Sequence, residues 1–236
     1  MVSVWGLTDR GIVRRENQDS CAYEIIEDGD LAWGVVCDGM GGAKAGDIAS
    51  KMAVETFCAH LEQLRDLEGP PPAADLLLVV YLKAETDRDC VGMGTTLVGM
   101  ILRGTTLWVV NVGDSRAYHI TKQAIRRITR DHSVVEDLVA KGDLTPEQAR
   151  NHPQKNLITR ALGTARRVKA DLFQETVAEG DYLLLCSDGL INEVTDQEIH
   201  REVLAGGTPQ EICQRLMTRT LDSGAPDNVT VVLFQL

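Results

Sequence analysis

Four aspartates stand at the edges of apolar runs. Asp38 closes "AWGVVCDG", Asp188 closes "YLLLCSDG", Asp114 follows Gly113 in "LWVVNVGDSR", and Asp227 precedes the run in "PDNVTVVLFQL". Singly, an Asp-Gly pair after a hydrophobic stretch is a turn, and Asp38-Gly39 is read here as a sharp one. Jointly, the four put carboxylates at strand edges, where a side chain leaves the sheet while its backbone stays fixed. If those edges converge, the acids share one cavity. Two like charges about 4 Å apart then repel by about 4 kcal/mol at an effective dielectric near 20. Either the pKa values rise or cations neutralise the charge. Oxygen-only donors favour hard cations, Mg2+ or Mn2+, over zinc. A glycine beside an acid also lets a backbone carbonyl approach the ion, since no Cβ blocks it. Two such ions about 3.5–4 Å apart activate a bridging water and clamp a phosphoryl group.

A phosphate needs a positive partner as well. Arg10, Arg14 and Arg15 lie in "DRGIVRRENQDS", and a guanidinium matches phosphate with two parallel hydrogen bonds. Arg14, just ahead of a strand beginning near Ser20, is the candidate; the other two read as solvated surface. Other phosphate signatures fail. The P-loop pattern is absent, and "GMGGAKAG" is only a loose glycine-rich loop. Cys213 and Arg219 have the spacing of a cysteine-dependent phosphatase, but "EICQRLMTRTL" has no glycine to expose backbone N–H groups. It reads as an ordinary amphipathic helix.

The elements that must position these residues follow from periodicity. Strand-like segments are Val2–Leu7, Ser20–Ile26, Ala32–Cys37, Thr95–Leu102, Leu107–Val112, Ala117–Ile120, Val168–Thr176, Tyr182–Cys186 and Val229–Gln235. Helix-like segments are Gly46–Leu64, Ala73–Asp87, Asp196–Ala205 and Pro209–Leu221, with Val54, Phe57, Cys58, Leu61 and Leu64 as the buried stripe of the first. This order does not alternate as βαβα, so a doubly wound sheet is excluded. It implies an α+β fold of antiparallel sheets packed face to face, with helix pairs outside. The polar segment 132–163, with short helices near Val134–Lys141 and Thr145–Arg150, reads as a surface excursion.

Composition narrows the partners. The 236 residues, 44% apolar and 25% charged, suit one globular domain with a sizeable core. A formal charge of −11 argues against nucleic acid or an anionic membrane, and leaves an anionic substrate in need of local attraction. The longest apolar run, Leu76–Leu82, is far short of the roughly 20 residues a bilayer requires. "MVSVWGLTDRG" lacks the layout of a signal peptide. The six cysteines (21, 37, 58, 90, 186 and 213) are scattered through apolar segments and read as reduced thiols. A cytoplasmic protein is expected.

The constellation resembles the metal-dependent Ser/Thr protein phosphatases (PPM, type 2C) in their compact bacterial form. The resemblance runs through "GIVRRENQDS", "VVCDGMGG", "GMGTTLV", "VNVGDSRAY", "ITRDHS", "ITRALG", "LLLCSDGL" and "PDNVTVV", in that order, over nearly the whole chain. It implies a single catalytic domain over residues 1–236, a two-sheet sandwich flanked by helix pairs, with a mobile flap at about 132–163. By position, Asp38 would bridge two metals, Gly39 would offer its carbonyl to one, and Asp188 and Asp227 would complete the other. Asp114, with Asp188, would hold a third metal. Arg14 matches the arginine that binds substrate phosphate, and Asp19 an acid that orients water. Two positions depart from eukaryotic members: Met40 stands in place of a histidine proposed as general acid, and Gln18 in place of a glutamate. Both changes are usual in the bacterial branch, and they leave the leaving-group acid unassigned.

The expected activity is direct hydrolysis of phosphoserine and phosphothreonine by a metal-bridging water. It would use two Mn2+ or Mg2+ ions and a third, with the protein monomeric and opposing a Ser/Thr kinase. A catalytically silent phosphoprotein-binding module and a phosphatase of small phosphomonoesters are the competing readings.

Overall fold

The structure, a computed structural model, describes residues 1–26, 31–40, 45–63, 92–165 and 167–236. The expected helix over Ala73–Asp87, the end of the first helix at Leu64 and the apolar run Leu76–Leu82 lie outside these.

Two antiparallel sheets form the centre. One has the order β1 (Ser3–Asp9), β11 (Val229–Gln235), β10 (Tyr182–Cys186), β7 (Arg116–Ile120), β8 (Ile125–Arg127). The other runs β2 (Asp19–Ile26), β3 (Leu31–Met40), β5 (Leu97–Arg103), β6 (Thr106–Val112), β9 (Asp171–Thr176), with the short β4 (Gly94–Thr95) paired to the end of β3. Ala32, Val36, Val98, Met100 and Val109 of the second sheet meet Ala117, Leu183, Leu185, Val232 and Phe234 of the first in one buried layer. Because strand side chains alternate, the other face of β3, carrying Trp33, Val35 and Cys37, packs beneath helix α1 (Ala45–Gln63). β3 is therefore buried on both sides, which explains its unbroken apolar run. Within α1 the stripe Val54, Phe57 and Leu61 is buried, and Cys58 packs against it half-covered.

Helices α4 (Asp188–Glu193), α5 (Asp196–Leu204) and α6 (Pro209–Asp222) cover the outer face of the first sheet, burying Leu190, Ile199, Val203, Ile212 and Leu216. Threonines 195 and 208 start α5 and α6 with reciprocal capping boxes to Glu198 and Glu211. Cys213 is buried in α6 and its thiol meets the Trp5 carbonyl, so it is a packed core residue.

The segment 132–163 carries α2 (Val134–Lys141) and α3 (Pro146–Arg150). Its tips are exposed, but its ends are core: His132, Ser133, Ala161 and Leu162 are buried, and backbone bridges pair Ser133 with Ile158 and Thr95 with Leu162. The surface excursion inferred from its polarity is thus pinned at both ends. Among the described residues, no helix is long and apolar enough to cross a membrane.

Phe234 stands at the middle of the inter-sheet layer, fully buried, with its ring against the backbone of Gly34. Phe234→Ala is expected to lower stability by about 3–5 kcal/mol. Urea unfolding should show this as a reduced midpoint with an unchanged slope.

Candidate metal centre and active site

The acids come from both sheets. Asp19 and Asp38 sit directly opposite each other in the β2–β3 ladder. They share the strand face that looks between the sheets, the face of Val36 and Cys21. Asp188 follows β10, Asp227 precedes β11, and Asp114 lies between β6 and β7, where the chain passes from one sheet to the other. Asp38, Asp114, Asp188 and Asp227 line one cavity of about 550 Å³, together with Arg14, Gly39, Met40, Thr96, Asn156 and Asn228. All four run-edge acids and the chosen arginine are brought together.

The local structure differs from the expected turns. β3 does not end before Asp38; it continues through Gly39 to Met40, and Gly39 pairs with Thr95. The Asp38-Gly39 turn is therefore corrected to extended strand. Two neighbouring threonines make this extension possible. Thr96 donates its N–H to the Asp38 carbonyl at 2.8 Å, and the Thr95 hydroxyl donates to the same oxygen at 2.9 Å. Gly39 is needed for close approach, because a Cβ there would strike the backbone carbonyls of Gly46 and Gln18. Asp188 likewise opens helix α4 rather than a turn, and its Oδ2 accepts a hydrogen bond from Asn192 one turn later at 3.0 Å.

Beneath the cavity, Asp19 ties the sheets together. Its Oδ2 accepts hydrogen bonds from the Ser187 hydroxyl at 2.7 Å and the Thr230 hydroxyl at 2.6 Å, both from the opposite sheet's side. Its Oδ1 is buried and has no hydrogen-bond partner among the described residues, and the same holds for Asp188 Oδ1. Burial, opposed by these hydroxyls, raises the Asp19 carboxyl to about 7. Asp188 is raised to about 6 by burial and then by Asp227. Asp38 and Asp114 are pushed well above the carboxylate range, first by burial and then by the neighbouring acids. Arg14 donates to Asp227 at 2.7 Å, an ion pair that raises its pKa, and its side chain remains 55% exposed at the cavity mouth.

These residues fit hard divalent cations. Orphaned buried carboxylate oxygens need a donor or a cation, the donor set is oxygen throughout, and Gly39 permits a carbonyl where a side chain would not fit. Among the described residues, no three His, Cys, Asp or Glu side chains close on a single point tightly enough to hold an ion as they stand. The four acids Asp38, Asp114, Asp188 and Asp227 line the cavity wall instead.

Residues 13–221 match the family model "Protein phosphatase 2C". The chain belongs to this family. Its protein phosphatase 2C relatives include the serine/threonine phosphatase stp of Listeria monocytogenes, 37% identical over 239 residues that cover 97% of this chain and 93% of that one. The crystal structure of the phosphatase Stp1 from Staphylococcus aureus superposes with a TM-score of 0.89 at 37% identity, covering all of this chain and 95% of that one. The catalytic domain of the phosphatase PstP, solved in complex with two manganese ions, aligns with a TM-score of 0.83 at 34% identity, covering 99% and 97%.

Asn228 and His132 lie within "PDNVTVV" and "ITRDHS", but nothing in their spacing gave either a role. Asn228 is buried, and it clamps the loop that carries Arg14. Its Nδ2 donates to the carbonyls of Arg10 and Glu16, and its Oδ1 accepts from the Gln18 N–H. Next to it, a Cβ at Gly11 would collide with the Asp227 carbonyl, and Ala225 takes a left-handed backbone with φ 26°. His132 locks the Asp114 loop: its N–H donates to the Gly113 carbonyl at 2.9 Å and the Gly113 N–H donates to its Nδ1 at 3.0 Å. Its Nε2 lies 3.1 Å from Asp171 Oδ2 and 3.0 Å from Arg160 Nη1.

Raised carboxyls bind protons more tightly folded than unfolded, so their stabilisation is greatest at acid pH and is lost as pH rises through about 6–7. Chelated protein should therefore lose melting temperature between pH 5 and 7.5. Mn2+-loaded protein should not, because metal binding requires the deprotonated acids. Asp38→Asn should raise the chelated protein's melting temperature by about 2–4 °C for each kcal/mol of relieved repulsion and shrink the Mn2+-induced rise. Calorimetry with and without EDTA checks both.

Proposed function

We propose that this protein is a metal-dependent protein serine/threonine phosphatase. The observation that carries the reading is one cavity where four carboxylates from both sheets face an exposed arginine, in a chain of the protein phosphatase 2C family. Asp38, Gly39, Asp188 and Asp227 are assigned to two Mn2+ or Mg2+ ions, and Asp114 with Asp188 to a third. When bound, the cations neutralise phosphate charge and lower the pKa of water toward neutrality. They also resolve the charge conflict, since a chain of −11 otherwise repels its substrate.

The protein's own groups supply the rest. Arg14 is held by Asp227 through one Nη2 contact, which leaves other guanidinium N–H groups for two phosphate oxygens. Asn228 fixes the backbone from which Arg14 projects. Asp19, anchored through one oxygen, keeps the other to orient a water. Hydrolysis joins the water oxygen to phosphorus, breaks the bond to the serine or threonine oxygen, and passes a proton to that oxygen. Met40 lines the cavity but has no proton to give, so a water is assigned as the donor. We further assign residues 1–236 to one catalytic domain with 132–163 as its flap. The protein is taken to act as a monomer in the cytoplasm, on phosphoproteins made by a Ser/Thr kinase.

With Mn2+ the protein should hydrolyse a phosphothreonine peptide, and chelation or Asp38→Ala should reduce this to background. A metal-loaded protein that releases no phosphate from peptides or from p-nitrophenyl phosphate would overturn the reading. Separately, Asn228→Ala should lower kcat/KM by about 10–100-fold. Inorganic phosphate inhibition should weaken in parallel while the Mn2+-induced rise in melting temperature persists, which separates loss of Arg14 placement from loss of metal.

A further inference from the structure

A second groove, of about 900 Å³, opens between α2 and α3 on one side and α4 and α5 on the other. Asp114, Asn156 and Asp188 line both this groove and the acid-lined cavity, so the two form one continuous surface. Its volume exceeds what one phosphorylated side chain fills and lies at the upper end of the range of ligand sites. A polypeptide with its phosphoresidue in the cavity has this groove beside it.

Most charges along the groove are already satisfied. Arg116 makes a double contact to Asp131 and donates to the Tyr118 hydroxyl, and that hydroxyl donates to Asp196. Arg127 pairs with Glu136 at 2.8 Å and Asp131 at 3.4 Å. Of the groove's remaining charged side chains outside the acid cluster, Glu147 is exposed to solvent, whereas Arg150 and Lys155 are half-buried. Among the described residues neither cation has a carboxylate within ion-pair distance. Among the described residues Arg150 makes a long bond, 3.4 Å, to the Asn192 carbonyl, and Lys155 has no side-chain hydrogen bond to any of them. Lys155 is near enough to Asp188 for its charge to act on that acid, but neither half-buried cation is bonded to a carboxylate, an arrangement that leaves both able to take an anionic partner beside the catalytic cavity.

We propose that this groove binds the stretch of substrate polypeptide flanking the phosphoresidue, and that Arg150 and Lys155 receive an anionic side chain within a few residues of it. The proposal rests on the phosphatase reading above and adds a substrate class: phosphoproteins whose site is flanked by Asp, Glu or a second phosphoresidue. Arg150 and Lys155 then act in specificity and take no part in the chemistry. The contact is electrostatic and partly solvated, so it contributes modestly and weakens with salt.

Mn2+-loaded protein is assayed on phosphothreonine peptides carrying Ala, Glu, Arg or phosphoserine at each of the four positions on either side. Glu at one or two positions should lower KM about fivefold relative to Ala, and Arg should raise it. The gain should fade in 0.5 M salt, vanish in Arg150→Ala and Lys155→Ala, and turn into a preference for Arg in Lys155→Glu. Activity on p-nitrophenyl phosphate, which does not reach the groove, should stay within about twofold throughout. A gain from phosphoserine but not Glu assigns the anion to a second phosphate and supports the proposal. Indifference to flanking charge, with p-nitrophenyl phosphate still hydrolysed, overturns the groove and leaves the phosphatase reading intact. An equal loss on all substrates in Lys155→Ala also overturns it, since the lysine would then act on the acid cluster. Failure of the unmodified protein on every phosphoester strikes the phosphatase reading instead.

Discussion

The mutual repulsion of carboxylates gathered in one cavity is the constraint on which the rest of this structure depends. No single sheet supplies the acids. Asp19 and Asp38 belong to one sheet, Asp188 and Asp227 flank strands of the other, and Asp114 lies on the passage between them. Keeping them together therefore means keeping the two sheets aligned, and the inter-sheet layer of Val36, Val98, Leu185, Val232 and Phe234 does so by burying a continuous apolar surface. The core stabilises what the site destabilises. Divalent cations, bound as proposed, would reverse the sign of the problem, since the same oxygens that repel one another would become ligands.

A second tier of neutral polar groups lets the acids hold their places. Ser187 and Thr230 approach Asp19 from the sheet opposite its own strand, Thr95 and Thr96 hold the backbone of Asp38, and Asn228 and His132 fasten the loops of Arg14 and Asp114. Each is a buried polar group with its bonds made, so it adds rigidity without adding charge. A further anionic partner in any of these positions would have shifted the acids still further from the ionisation that cation binding needs.

Much of this was legible in the chain. Apolar runs of strand length bounded by acids gave the sheet edges, and the order of elements pointed to a sandwich rather than a doubly wound sheet. The misreadings have physical causes. Asp38-Gly39 has turn composition, but threonines almost sixty residues away continue the ladder past it, and local propensity yields to that tertiary pairing. β8 is only Ile125–Arg127, too short and charged to show a period. Asn228 looks like any polar residue before a strand; its three hydrogen bonds reach more than two hundred residues back along the chain. Groups that act through long-range backbone contacts leave no spacing to read.

The pairing of Asp19 with Asp38 carries one more consequence. Strand side chains alternate with a period of two, so a slip of one residue between β2 and β3 would exchange faces. Asp38 would turn toward α1, and Cys37 would look between the sheets. Such a misaligned chain could bury a similar amount of apolar surface, because β3 is hydrophobic on both sides. It could not assemble the acids. Assembly of the acids thus discriminates where hydrophobic burial is nearly indifferent, and the residues proposed to hold the cations also proofread the alignment of the strands that carry them.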